Sequence, residues 1–266
     1  GRGRGRDWSD GDRRWNDGGF DPDRVKSYRT KPQGVLTPSH RRALRELWPD
    51  YGIPAGYRDD RISRESLEAN FGRSGRRVVL DVGCGLGNAT VTGASLHPDV
   101  NFIGVEVHKP GIAMLLKAVA ADSLENVRVV RSDAITLLED RVEGRVADEV
   151  WVLFPDPWSD PRMAERRLVR PFFIRLLEKH MRPLGILRVA SDCPEYIDHV
   201  EGLMVERIRR GKWAPVPDES KNDSMDEPTY RGFTQYEQRA LAEGKGTWER
   251  VYQLLPAPRA VDDPFS

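Results

Sequence analysis

Cysteine is nearly absent: the chain of 266 residues has two, Cys84 and Cys193, far apart in sequence. Two cysteines cannot build the disulfide framework of a small secreted domain, nor a multi-cysteine zinc site. Their scarcity fits a reducing compartment, so a cytoplasmic location is expected. Long apolar runs are missing as well. None approaches the roughly 18 residues of a membrane span, and no signal peptide is recognisable, so no membrane association is expected. An excess of either charge is also lacking, with 42 Lys and Arg against 42 Asp and Glu. This excludes a uniformly basic nucleic-acid binder, and leaves local patches for any contact with a polyanion. His97 and His108 fall in no triad or metal-ligand spacing, so no metal is expected.

What is present suits one large α/β domain with extensions. Hydrophobic residues make up 38% and charged residues 32%, which allows a proper core under a heavily solvated surface. Residues 1–31 hold nine Arg and Lys against six Asp and almost no aliphatic side chains. They cannot bury enough apolar surface to order themselves, and read as a disordered tail. Residues 32–256 read as a single domain and 257–266 as a C-terminal tail. Helices are expected at 38–48 and 61–71. Then strands at 77–82, 101–107, 127–132, 148–154, 185–190 and 248–255 alternate with helices at 88–96, 110–121, 134–142, 171–181 and 194–208. That rhythm predicts a doubly wound, mostly parallel sheet with helices on both faces. The span 209–247, with Pro215, Pro217 and Pro228, breaks it and reads as a mobile substrate loop.

The first strand runs through Val78-Val79-Leu80-Asp81-Val82 into Gly83-Cys84-Gly85-Leu86-Gly87 and then a helix. Glycines let a backbone approach a ligand closely, and the helix start offers free amides. The dinucleotide fingerprint needs glycine at 88, where Asn88 stands, so a nicotinamide-dependent oxidoreductase is disfavoured. Glu106 ends the next strand, where a carboxylate suits the two hydroxyls of a ribose. Asp133 follows the third strand. It is placed to take an adenine amino group, or simply to cap the helix that follows. The pattern resembles class I methyltransferases, which bind S-adenosylmethionine. On that resemblance Asp81, Gly83, Gly85, Gly87, Glu106 and Asp133 are the cofactor-binding residues.

The segment Leu153-Phe154-Pro155-Asp156-Pro157-Trp158 follows an apolar strand and leads into Arg162, Arg166, Arg167 and Arg170. A carboxylate between two prolines at a strand's carboxyl end is poorly placed for packing and well placed to meet a ligand. Four arginines beside it point to a polyanionic substrate. Further on come Ala190-Ser191-Asp192 and Thr234-Gln235-Tyr236-Glu237-Gln238-Arg239. From about residue 26 to 254, with motifs in family order, the chain resembles bacterial tRNA (guanine-N7-)-methyltransferases. These modify guanine 46 of the variable loop. The resemblance implies a catalytic Asp156 at the reaction centre. It implies substrate contacts from Asp192, Thr234 and Glu237, and phosphate contacts from Arg162, Arg166, Arg167 and Arg170. It also implies tRNA as partner and no metal. One position departs from the pattern: where the family usually carries a basic residue two places after the Trp, this chain has Asp160. Either Arg162 takes over that contact, or the RNA is positioned differently. A small-molecule methyltransferase would explain residues 78–133 equally well, but not the arginines or the motif at 234–239.

Overall fold

The structure, a computed structural model, describes residues 36–54, 61–217 and 231–256. The segments expected as tails, 1–31 and 257–266, lie outside the described residues, as does 218–230 of the expected loop. Eight strands form one sheet in the order β1-β4-β3-β2-β5-β6-β8-β7. They are β1 Gly52–Ile53, β2 Val78–Val82, β3 Asn101–Glu106, β4 Val127–Arg131, β5 Ala147–Leu153, β6 Met181–Ser191, β7 Trp213–Val216 and β8 Trp248–Leu254. The first six in that order are parallel, and β8 pairs antiparallel with both β6 and β7.

The helices are α1 Pro38–Tyr51, α2 Arg64–Phe71, α3 Asn88–Leu96, α4 Lys109–Ala121, α5 Ala134–Asp140, α6 Pro171–His180, α7 Pro194–Arg209 and α8 Gln235–Ala242. Their starts are written in the sequence. The Thr37 and Asp133 side chains accept amides of the first turns of α1 and α5, and Ser63 and Thr234 form capping boxes on α2 and α8. Each box satisfies amides that helix geometry leaves without partners.

Strands buried on both sides read as continuous apolar runs, and alternate residues feed two cores. Val79, Phe102, Trp151, Leu153 and Ala190 face Ala43, Leu44, Ala89, Ile112, Leu115 and Leu116 of α1, α3 and α4. Leu80, Val82, Ile103, Val150, Val152, Leu187 and Val189 face Leu67, Ile135, Phe173, Leu177, Val200 and Met204 of α2, α5, α6 and α7. The sheet is therefore doubly wound, as the alternation predicts.

Three expectations need correction. The span 209–247 is not one continuous loop, because it contains β7 and α8. Trp213, almost completely buried, anchors β7 to the sheet edge. Four residues are too short for periodicity to announce. The strand expected at 185–190 already begins at Met181, directly after α6, and passes through a register shift with Leu184 at φ 66°. The helix expected from 61 starts at Arg64, after its Ser63 cap. Among the described residues, no helix is long and apolar enough to cross a membrane.

Candidate active site

The chain leaves β2 for β3 on one side of it, while β5 lies on the other. That reversal is a topological switch point, where open α/β sheets form a crevice outside the strand ends. Val82 pairs with Val152, and Leu153 with Ala190. The glycine loop after β2, the Phe154–Trp158 segment after β5 and Ser191-Asp192 at the end of β6 therefore emerge side by side.

On the loop side, Gly83, Gly85 and Gly87 sit at φ 73°, 59° and 85°, a region side chains rarely adopt. The packing is close: a Cβ on Gly87 would lie 2.3 Å from Leu115 Cδ1, and one on Gly111 would lie 2.5 Å from the Gly85 carbonyl oxygen. Helix α4 thus supports the loop at backbone contact. Helix α3 follows with Gly87 as its cap and no side-chain capping bond, leaving first-turn amides for a ligand. The Glu106 carboxylate accepts from the amides of Gly85 at 2.9 Å, Val107 at 2.7 Å and His108 at 2.8 Å. Asp81 is buried and accepts the Thr90 hydroxyl at 2.6 Å. Burial pushes its carboxyl up to about 6, against the Thr90 hydrogen bond and the positive charge of Arg231. Asp133 caps α5, accepting the Thr136 amide at 3.0 Å.

On the other side, Phe154 at φ 53° and Trp158 at φ 44° flank Pro155-Asp156-Pro157. Left-handed backbone in two large side chains costs on the order of 1–3 kcal/mol each and persists only where surroundings enforce it. Here the enforcement is visible. The Phe154 amide donates to the Ala190 carbonyl at 2.8 Å. Trp158 is buried with the Arg166 guanidinium stacked 3.9 Å from its ring centre. Arg167 Nε donates to the Pro157 carbonyl at 3.0 Å. Two members of the arginine cluster thus brace the loop that carries Asp156, which is half-buried.

The other two arginines differ. Arg170 is buried, and its Nη1 donates to the Glu165 carbonyl at 2.9 Å. Its charge is thus largely turned away from the surface. Arg162 is 89% exposed, and Asp160 holds its Nη2 at 2.7 Å. Asp160, the departure from the family pattern, also caps the 3-10 helix Pro161–Arg166 by accepting the Arg162 amide.

Asp192 is exposed at the end of β6. Thr234 and Glu237 are buried at the start of α8. Glu237 is paired with Arg231, whose Nη1 donates to its Oε2 at 2.7 Å and whose Nη2 donates to its Oε1 at 2.9 Å. The residues Thr234, Gln235 and Tyr236 line one cleft with Asp81, Gly83, Gly85, Asn88 and Leu153. The motif at 234–239 therefore meets the glycine loop itself.

Sequence reasoning missed the buried charges beneath this contact. Arg231 bridges Glu237 and Glu249, Arg188 joins Glu249 at 2.6 Å, and Glu149 accepts the Trp151 indole N–H at 2.7 Å. A signal existed in the charged residues placed inside otherwise apolar strands, Glu149 in β5 and Arg188 in β6. Burying such charges is costly unless they are paired.

A methyltransferase family model, described as "Putative methyltransferase", matches residues 75–250. A tRNA (guanine-N(7)-)-methyltransferase of Methylobacillus flagellatus is 35% identical over 221 residues, covering 83% of this chain and 88% of the relative. Its namesake from Burkholderia pseudomallei is 35% identical over 230 residues, covering 86% and 82%. One from Ralstonia nicotianae is 34% identical over 237 residues, covering 89% of each. The chain belongs to the tRNA (guanine-N(7)-)-methyltransferase family. Among solved structures, the antibiotic-resistance methyltransferase Kmr aligns at 21% identity with a TM-score of 0.49, covering 78% of this chain and 99% of that one. The family's methyl donor is S-adenosylmethionine, and the side chains around the crevice have the chemistry to meet it. Asp81 and Glu106 offer carboxylates to a ligand that carries ammonium, sulfonium and ribose hydroxyls. The bare first turn of α3 offers amides to its carboxylate. Among the described residues no group of three or more His, Cys, Asp or Glu is arranged to hold a metal ion.

Proposed function

We propose that this enzyme transfers the methyl group of S-adenosylmethionine to N7 of a guanine in tRNA, guanine 46 of the variable loop, leaving 7-methylguanosine and S-adenosylhomocysteine. The observation that carries the reading is the junction of the glycine loop with the Phe154–Trp158 segment at one switch point. A cofactor in the first has its reacting end at the second. The names of the relatives support tRNA and guanine N7, and family resemblance supports position 46.

The cofactor, when bound, supplies an electrophilic methyl on a sulfonium. Guanine N7 carries a lone pair and no proton, so the residues need not provide a general base. What they must provide is alignment. Asp81, Gly83, Gly85, Gly87, Glu106 and Asp133 hold the cofactor side. Asp156, on its braced loop, orients the base and balances the positive charge the guanine acquires. Asp192 is the carboxylate placed to accept from guanine N1–H and the 2-amino group. Glu237, buried and paired with Arg231 through both its oxygens, supports the cleft from behind. Adenine offers a single donor on that edge, so a carboxylate closed over by the bound base would be left half unpaired and would discriminate against it. Tyr236, 47% exposed at the cleft, offers a face on which an outward-turned base can stack. Arg162, Arg166 and Arg167 line the approach of phosphates. Thr234 shapes the cleft wall.

Methyl transfer from labelled S-adenosylmethionine to unmodified tRNA transcripts tests this, with guanine 46 intact or replaced by adenine. Label should enter only the intact transcript, as 7-methylguanine. Equal labelling of both overturns the position, and labelling of neither overturns the substrate.

A further inference from the structure

The guanidinium of Arg231 is saturated. Its Nε donates to Glu249 Oε2 at 3.1 Å, and Nη2 donates to the same oxygen at 2.7 Å. Nη2 also reaches Glu237 Oε1 at 2.9 Å, while Nη1 reaches Glu237 Oε2 at 2.7 Å and the Gly232 carbonyl at 2.9 Å. Every N–H of the fork has an acceptor, and the side chain is 3% exposed. The two carboxylates come from different elements. Glu237 belongs to the first turn of α8, and Glu249 to β8 opposite Ala190. Arg188 of β6 fixes Glu249 from the other side at 2.6 Å. One cation therefore rivets the start of α8 to the sheet.

The next residue shows where the rivet pushes. Gly232 sits at φ +67°, and a Cβ there would lie 2.4 Å from Thr92 Cγ2. Thr92 belongs to α3, the helix that begins at the glycine loop. Two residues later Thr234, Gln235 and Tyr236 line the cleft with Asp81, Gly83 and Gly85. The positive charge of Arg231 also reaches Asp81.

We infer that Arg231 is a positioning residue for the cofactor side of the site: through Glu237 and Glu249 it holds Thr234–Tyr236 as a wall of the S-adenosylmethionine cleft. This assigns the buried carboxylate of the 234–237 motif to cofactor binding instead of guanine recognition. It rests on the methyltransferase reading of the cleft, and its test uses no RNA in the deciding measurement.

Arg231→Lys keeps the charge but cannot fork to two carboxylates. Glu249→Gln keeps an acceptor and the shape while removing one charge. Both variants should bind S-adenosylhomocysteine, measured by calorimetry without RNA, at least about tenfold more weakly, the scale expected when a positioning contact loosens a site. Binding of tRNA alone should stay within about twofold of the parent. The KM for S-adenosylmethionine should rise more than the KM for tRNA. Unchanged S-adenosylhomocysteine affinity in a variant that melts cooperatively overturns the assignment, and a selective rise in the KM for tRNA would return the motif to guanine recognition. If Arg231→Lys does not fold, Glu249→Gln decides the case. If the parent binds S-adenosylhomocysteine but methylates no tRNA, the substrate reading fails and this inference stands.

Discussion

Thr90 Oγ1 donates to Asp81 Oδ2 at 2.6 Å, a hydrogen bond to a carboxylate that burial raises to about 6. An acid whose folded value lies above its unfolded value of 3.8 binds protons more readily in the folded state. The unliganded fold then loses stability as pH rises between those values, and the full cost is present above about 6. The shift corresponds to about 3 kcal/mol as an order of magnitude. Asp81→Asn should therefore stabilise the unliganded protein by about 1–3 kcal/mol at pH 8, with the gain shrinking toward pH 4. It should also weaken S-adenosylhomocysteine binding, because the ligand's α-ammonium group supplies a counter-charge to the carboxylate. Urea unfolding at pH 5 and pH 8, with calorimetry at pH 8, measures both. A variant less stable than the parent at pH 8 would reverse the argument.

Asp160 and Arg162 make an exposed pair, N to O 2.7 Å. Phosphate must compete with that carboxylate for Arg162. Asp160→Asn should tighten tRNA binding about two- to fivefold at low salt and steepen the salt dependence by about one phosphate contact. Arg162→Ala should make it shallower by a similar amount. Arg170→Ala should leave the salt slope alone and lower the melting temperature, because its guanidinium is buried against Glu165. Filter binding across a salt series, with melting curves, separates the three. An altered slope for Arg170→Ala would restore it to the RNA surface.

The sheet was legible because strands buried on both faces leave mostly apolar runs interrupted by few charges, as in Val78–Val82 with Asp81 and Val150–Leu153 after Asp148-Glu149. The glycine loop and the acids at the strand ends stood out because glycine and acid have few structural reasons to recur there. Asp160 stood out as a departure, and its capture of Arg162 explains how the basic run is diluted. The burial of Arg170 was hidden because four arginines in nine residues look alike in sequence, while the turn into α6 turns this one inward. The pairing of Glu237 with Arg231 was hidden because a capping-box glutamate and a substrate carboxylate have the same sequence signature. The short edge strand β7 carried no period at all.

Asp156 is held between Phe154 and Trp158, both left-handed. If it orients the base without taking a proton, Asp156→Asn should retain measurable turnover. The expected loss in kcat/KM for tRNA is about 10- to 100-fold, the scale for one misaligned contact. The pH profile of the residual activity should keep the shape of the parent's. Loss of a limb from that profile, with turnover falling to background, would instead make Asp156 a proton acceptor.

Gly111 lies in the first turn of α4, at no unusual backbone angle, where alanine should raise helix stability by up to about 1 kcal/mol. The gain is outweighed by contact. An alanine Cβ there would lie 2.5 Å from the carbonyl oxygen of Gly85 and 3.1 Å from its carbonyl carbon. Backbone cannot swing aside as a side chain can, so α4 or the loop must move, at about 1–3 kcal/mol for overpacking. The loop is the softer partner, held at Gly85 by the amide bond to Glu106. Gly111→Ala should therefore show a modest fall in melting temperature and a larger loss of S-adenosylhomocysteine affinity, tenfold or more if the Gly85 amide leaves Glu106, on the order expected for a displacement near 1 Å. Calorimetry on the purified variant reads the affinity and a melting curve reads the stability. A variant that binds as tightly as the parent would mean that α4 shifts and the loop stays in place.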